Sequence, residues 1–290
     1  MQNESKSRTN RAMPWILIVT LSILPMLAPD VSSQSGAPEE MRGGKNFIAT
    51  RVYTEKDDQE VLALFAGLRV SDVCDGMDRA GLPNLGLMDP AIRPSWIDAK
   101  GYSHRILGVA LTVRYVPTNK PAAGTLDTEA FDKWVGKWYS TMSPEPFMPL
   151  IRPGTVLVFD DAERTEAGTI GSNNSMAWKL RGCVGVITDS GARDTDEIAA
   201  EGIPLYFRQV SRGIRPGRNE LESVNRPIEC GSVLVEPGDV VMADGDGVIV
   251  VPRAAAATVA EYARATLKTD KAQRRELYKK LKMEEDASVR

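Results

Sequence analysis

Residues 181–194 read RGCVGVITDSGARD. Gly185 to Thr188 is an apolar, β-branched run suited to a buried strand, and Asp189 to Ala192 is a turn. Arg193-Asp194 follows, and Thr195 to Glu201 then begins a helical stretch. Strand, turn, charged pair and helix in that order point to an α/β fold, in which functional groups collect where strands end. On spacing alone the pair has two readings. Arg193 offers a planar fork for a carboxylate or oxo acid, and Asp194 offers hard oxygens to Mg²⁺ or Mn²⁺. Alternatively, Asp194 caps the helix that follows it and joins a surface ion pair.

Working outward, Ile106 to Tyr115 and Thr155 to Asp160 read as strands, the second launched by the Pro153-Gly154 turn. Ala130 to Met142 carries Phe131, Trp134, Trp138 and Tyr139 at helical spacing, a pattern of core packing, and Asn174 to Leu180 reads as a short helix. Upstream, Glu55 to Leu68 is an amphipathic helix. Val70 to Ala80 is a second, with Ser71 as its expected N-cap, ended by Gly81-Leu82-Pro83-Asn84. Downstream, Leu205 to Val210 is expected as one strand. Ser232 to Val235, Val240 to Ala243 and Val248 to Val251 are short strands separated by Pro237-Gly238-Asp239 and Asp244-Gly245-Asp246-Gly247, both expected as tight hairpin turns. Arg253 to Met283 is a long charged helix with room for a partner subunit. The whole predicts a mixed sheet covered by helices.

The chain has 290 residues, 26% of them charged and 42% hydrophobic, which suffices for a proper core. A net charge of −3 supplies no basic field for nucleic acid. Lys6, Arg8 and Arg11 precede the apolar run Trp15 to Leu27, and Val31-Ser32-Ser33 offers small residues for cleavage. The expectation is a signal peptide over 1–33, a disordered leader over 34–52, a globular domain over 53–258 and a C-terminal helix over 259–290. Export to the periplasm or beyond follows, with no stable membrane insertion after processing.

Several chemistries are excluded by what is missing. His104 is the single histidine, so a multi-histidine zinc site cannot form in one chain, and no G-x-S-x-G elbow accompanies it. There is no phosphate-binding P-loop and no G-x-G-x-x-G opening a helix. Cys74, Cys183 and Cys230 form no C-x-x-C pair and read as buried small hydrophobes. Asp244-Gly245-Asp246-Gly247 lacks the remainder of a calcium loop.

Gly171, Arg181-Gly182, Gly185 to Asp189 and Arg193-Asp194 with Glu197, in this order, resemble the RraA-like family. Ser71-Asp72-Val73 with Asp75, Met88-Asp89-Pro90, Ile92-Arg93-Pro94, Gly108 to Arg114 and the run from Pro237-Gly238-Asp239 to Val251-Pro252 extend the resemblance over most of the body. The family includes class II 4-hydroxy-4-methyl-2-oxoglutarate aldolases that also decarboxylate oxaloacetate. The resemblance implies a swivelling β/β/α fold, assembled as trimers or hexamers with sites between subunits. It implies that Asp194 binds a divalent cation, Mg²⁺ or Mn²⁺, with Glu197 in support. Arg193 would hold the substrate's oxo and carboxylate groups, and Gly171 with Ser172, Asn173, Asn174, Ser175 and Met176 would present backbone N–H groups to its other carboxylate. The implied reaction is carbon–carbon cleavage of a small 2-oxo acid through a pyruvate enolate. One position departs: many relatives carry an acidic residue where this chain has Ser172. A non-catalytic binding or regulatory protein is the alternative, since some relatives are named as ribonuclease inhibitors. Others are labelled menaquinone methyltransferases, for which no cofactor loop is visible.

Overall fold

Thr54 opens the first helix by a reciprocal cap: its hydroxyl accepts the Asp57 N–H at 3.2 Å, and the Asp57 carboxylate accepts the Thr54 N–H at 2.8 Å. The structure is a computed structural model that describes residues 48–161, 166–286 and 288–289. The expected signal peptide over 1–33, and the leader over 34–47, lie outside the described residues.

Helix α1 spans Glu55–Phe65 and α2 spans Val70–Arg79. The start of α2 differs from expectation. Arg69, not Ser71, is its N-cap, and Asp72 reaches back to accept the Arg69 N–H at 2.9 Å. Strand β1 is Arg93–Pro94, β2 Ile106–Pro117, helix α3 Thr128–Thr141 and strand β3 Thr155–Asp160. Then come β4 (Gly168–Ile170), α4 (Ser172–Leu180), β5 (Cys183–Thr188), β6 (Gly191–Ala192) and α5 (Thr195–Ala200). Strands β7 (Leu205–Phe207), β8 (Gln209–Val210), β9 (Asn219–Val224), β10 (Ile228–Cys230), β11 (Val233–Val235), β12 (Val240–Asp244) and β13 (Gly247–Val251) lead to α6 (Ala256–Leu281).

The main sheet runs β1-β7-β5-β3-β2-β12-β13, with β9 also on β2. Its β2, β3, β5 and β7 pair in parallel, and β12 and β13 close it antiparallel. This is the expected mixed α/β sheet. Strands β3, β5, β12 and β13 are almost wholly buried, so they are continuous apolar runs rather than alternating ones. One core lies under α1, α2 and α6, where Val61, Phe65, Val73, Met77, Val259 and Ala263 pack with Val240 and Val251. Another, built on Phe147, Phe159, Trp178 and Ile198, lies under α4 and α5. Among the described residues no helix is long and apolar enough to cross a membrane.

Three expectations are corrected. Leu205 to Val210 is two strands in two sheets: β7 joins the main sheet, while β8 joins β4 and β6 in a small parallel sheet. Pro237-Gly238-Asp239 is not a hairpin turn, because β11 pairs with β10 and the chain then crosses to β12 beside β2. Asp244 to Gly247 is a hairpin turn, with Asp244 opposite Gly247. Of the aromatic residues on α3, Trp138 is buried but Phe131 is 43% exposed. Cys183 and Cys230 are buried, Cys74 is partly so, and all three are free thiols.

Candidate functional site

The small parallel sheet builds the site. Gly168 of β4 stands opposite Gly191 of β6, and Ile170 opposite Ala192. Both strands therefore end side by side, and each runs directly into a helix. Gly171 leads β4 into α4, and Arg193-Asp194 leads β6 into α5. The Arg193 N–H donates to the Ile170 carbonyl at 2.9 Å and locks the two exits together.

That alignment decides what Asp194 does. It occupies the N-cap position of α5 in the left-handed region, at φ 54° and ψ 40°, and its side chain makes no cap hydrogen bond there. A capping side chain normally starts from extended backbone. Instead its Oδ2 accepts the Ser172 backbone N–H at 3.1 Å and the Ser172 hydroxyl at 3.4 Å, at the start of the neighbouring helix. The Arg193 Nε lies 3.8 Å from the same oxygen, and both side chains are about one third exposed. Asp194 thus places its charge where the α4 dipole is positive.

Two glycines make room. A Cβ on Gly171 would stand 2.9 Å from Asp194 Oδ2, and one on Gly168 would stand 2.9 to 3.1 Å from the Arg193 aliphatic chain. Within α4 the Ser175 N–H is already given to the Gly171 carbonyl, and the Ser175 hydroxyl donates to the Ser172 carbonyl. Of the expected Ser172 to Met176 cradle, this leaves the Asn173 and Asn174 N–H groups open to a ligand. Met176 is 46% exposed. Glu197 is exposed on α5, and its carboxylate makes no bond to Arg193 or Asp194.

Behind the site lies a buried polar cluster that sequence reading did not assemble. The Asp161 carboxylate bonds the Thr169 hydroxyl and accepts the Asn219 amide N–H at 2.9 Å. Asp189 accepts the Asp161 N–H at 3.4 Å and the Gly231 N–H at 3.3 Å. The cluster pins β4 to the main sheet and to β9. Asp160, beside Asp161 in sequence, has a separate partner and lies 3.1 Å from Arg114 Nε. Burial pushes the Asp160 carboxyl up to about 6, against the attraction of Arg114. His104 is buried, accepts the Asp98 N–H on Nδ1 at 3.1 Å, and stands edge-on to Trp96, which is a packing role.

A metal at this site would find one carboxylate. Asp194 Oδ2 is the oxygen that meets the Ser172 N–H and hydroxyl, and Oδ1 carries no hydrogen bond to the described residues. Among the described residues no three His, Cys, Asp or Glu side chains gather to hold a metal ion. The donor set suits a hard cation of the Mg²⁺ kind, which keeps most of its water and takes one or two carboxylates plus substrate oxygens. It does not suit a cation that demands a full protein cage.

Comparison with known proteins identifies the family of the chain. The profile of the RraA-like family (Aldolase/RraA) matches residues 70–250. A Halalkalibacterium halodurans protein provisionally assigned as a 4-hydroxy-4-methyl-2-oxoglutarate aldolase is 32% identical over 126 residues, covering 42% of this chain and 58% of its own. The chain thus spans little more than half of that relative. A Burkholderia mallei protein with the same provisional assignment is 23% identical, covering 62% of this chain and 93% of its own. The crystal structure of Streptomyces coelicolor RraAS2, described as an unusual member of an RNase ES inhibitor family, superposes with a TM-score of 0.58. It is 21% identical and covers 75% of this chain and 96% of that one, a likeness of fold.

Proposed function

The chain belongs to the RraA-like family, and on that footing we propose that it is a divalent-cation-dependent lyase cleaving a carbon–carbon bond in small 2-oxo acids. The observation that supports this reading is the convergence of Asp194, Arg193 and the open N–H groups of Asn173 and Asn174 at the paired ends of β4 and β6.

The residues divide the work by their chemistry. The Asn173 and Asn174 N–H groups, at a helix N-terminus, would donate to the substrate's other carboxylate. The Arg193 fork would bind the oxo oxygen and one carboxylate oxygen together. In a β-carboxylated substrate such as oxaloacetate, the bond between the terminal carboxylate and its neighbouring carbon breaks. Its electron pair moves onto the oxo carbon's side, carbon dioxide leaves, and the pyruvate enolate is protonated afterwards. Arg193 faces the negative charge that develops on the enolate oxygen, where one preorganised charge-assisted donor is worth about 2.7–4 kcal/mol, roughly 10²–10³ in rate. Asp194 would hold the divalent cation, which, when bound, supplies Lewis-acid polarisation of the oxo group.

A non-catalytic binding protein is the second reading, favoured by Ser172 standing where an acidic residue would add a second carboxylate. One experiment separates the two: pyruvate release from oxaloacetate and from 4-hydroxy-4-methyl-2-oxoglutarate, with Mg²⁺ or Mn²⁺ and with EDTA. Cation-dependent release supports the lyase. Oxalate binding without release from either substrate supports the binding protein. We further propose export after cleavage near residue 33, to be checked by sequencing the mature N-terminus. A homotrimer or hexamer is proposed from the family, to be checked by light scattering.

A further inference from the structure

Strand β3 has two ends with different chemistry. Past its last residue, Asp161 bonds Thr169 of β4 beside the candidate site. At its start, Thr155 stands opposite Val109 of β2. Extended chain over the six residues of β3 separates the two ends by about 17 Å. At the starting end lies a second cavity, of about 140 Å³ and open to solvent. Its polar lining is Arg51, Tyr53, Asp58, Arg152, Thr155 and Asn225.

The donors of this wall are under-used. Arg152 commits Nη2 to the Tyr53 carbonyl at 2.9 Å and to the Asp58 carboxylate. Among the described residues its Nε and Nη1 bond nothing, and neither do the exposed Arg51 guanidinium and the Asn225 side-chain amide. Thr155 is buried; its hydroxyl accepts the Arg152 N–H at 3.0 Å and keeps its own proton to give. Asp58 is the carboxylate of the lining, and it is shared: Arg152 binds one oxygen and Arg253 the other, at 2.9 Å. Two guanidiniums thus face one carboxylate, and Arg51 adds a further positive charge. A positive, donor-rich hollow is matched by an anion. Its donors come from separate places in the chain, ahead of α1, at the start of β3 and after β9, which suits a tetrahedral ion better than a planar one. The volume is well below the about 300–1,000 Å³ of pockets that take drug-sized ligands.

We propose that this cavity binds a small tetrahedral oxyanion, with inorganic phosphate as the simplest case, held by Arg51, Arg152, Thr155 and Asn225. The site is separate from Arg193 and Asp194 and does not rest on the lyase reading. Arg51 belongs to the segment ahead of α1, whereas Arg152 and Thr155 belong to the entry of β3. The bound ion therefore fastens that segment to the edge of the sheet, alongside the bond from Arg152 to the Tyr53 carbonyl.

The test is calorimetric titration of the intact chain with inorganic phosphate and with acetate, in a buffer free of other oxyanions. Wild type should bind phosphate at least about tenfold more tightly than acetate. Arg51→Gln removes an exposed guanidinium that supports nothing in the fold. Asn225 sits at φ 55°, and Asn225→Asp keeps a residue that tolerates this backbone while setting a negative charge against the ion. Each variant should weaken phosphate binding by about tenfold or more, with the melting temperature in phosphate-free buffer held. Absent phosphate binding in wild type overturns the site, as does acetate bound equally well. Unchanged phosphate affinity in both variants also overturns it, and its loss in Arg193→Lys instead would move the ion to the start of α4.

Discussion

The carboxylate of Asp194 accepts the backbone N–H of Ser172, 22 residues earlier, at 3.1 Å, and makes no cap bond to its own helix. One side chain thereby joins the starts of two helices that leave parallel strands. The same carboxylate carries the structural contact and, on the proposed lyase reading, the charge that would hold the cation, so substitutions there must be chosen to separate the two.

Asp194→Asn is the discriminating change. Asparagine tolerates the left-handed backbone and retains an oxygen for the Ser172 N–H, but loses the charge. Turnover should fall at least about 100-fold and cation-dependent stabilisation should vanish, while the melting temperature stays within a few degrees. Asp194→Ala adds the loss of a capping contact worth about 1 kcal/mol. Near-normal turnover in Asp194→Asn would make the residue purely structural.

Gly171→Ala tests the space the site requires. Gly171 sits at φ −135°, where alanine is unstrained, so the effect comes from the new methyl 2.9 Å from Asp194 Oδ2. The expected outcome is displacement of the carboxylate, a loss of activity of about tenfold or more, and a small change in chemical denaturation midpoint. Full activity would show that Asp194 adapts freely.

Ser172→Asp supplies the acidic residue that many relatives carry. Without a cation, its carboxylate faces Asp194 across a distance set by the present 3.4 Å contact, and the like charges should lower stability. With Mn²⁺ the two carboxylates should bind together. Thermal melts with and without Mn²⁺ should show a larger cation-induced rise in the variant than in wild type; an equal rise contradicts cation binding at this place.

Asp239 gives stability a pH dependence. Its oxygens accept the Arg253 and Glu236 N–H groups, each at 2.9 Å, and burial pushes its carboxyl up to about 6. The folded state therefore holds the proton more tightly than the unfolded chain does. The stability this contributes is complete below about pH 4 and is lost as pH rises toward 6, by about 3 kcal/mol or less. Asp239→Asn cannot titrate. Wild type should gain stability relative to that variant as pH falls from 7 to 4, measured as the difference in urea midpoints. A pH-independent difference would contradict the shift.

Much of the fold was legible where local chemistry is strong. Thr155–Asp160 matches its expected bounds because Pro153-Gly154 punctuates it and Thr155 to Phe159 are β-branched or apolar. The small sheet was invisible. Strands β4, β6 and β8 hold only two or three residues each and carry no periodicity, so the split of residues 205–210 around Arg208 could not be read locally. Arg208 is committed elsewhere, to Asp89 at 2.7 Å, a partner 119 residues away. The Arg215–Glu145 pair and the Asp161–Asn219 contact likewise join residues too distant in sequence for spacing to relate.

By itself the sequence determined that a strand, a turn, Arg193-Asp194 and a helix follow one another, and that one histidine cannot serve a multi-histidine metal site. Those are properties of residue type and order. It left open whether Asp194 caps the helix after it or serves a site. Only the tertiary structure showed that the carboxylate makes no cap bond to the helix after it and meets Ser172 instead, through two physical causes. The left-handed backbone at residue 194 turns the carboxylate away from its own helix, and the register of β4 on β6 brings Gly171 and Ser172 alongside to receive it.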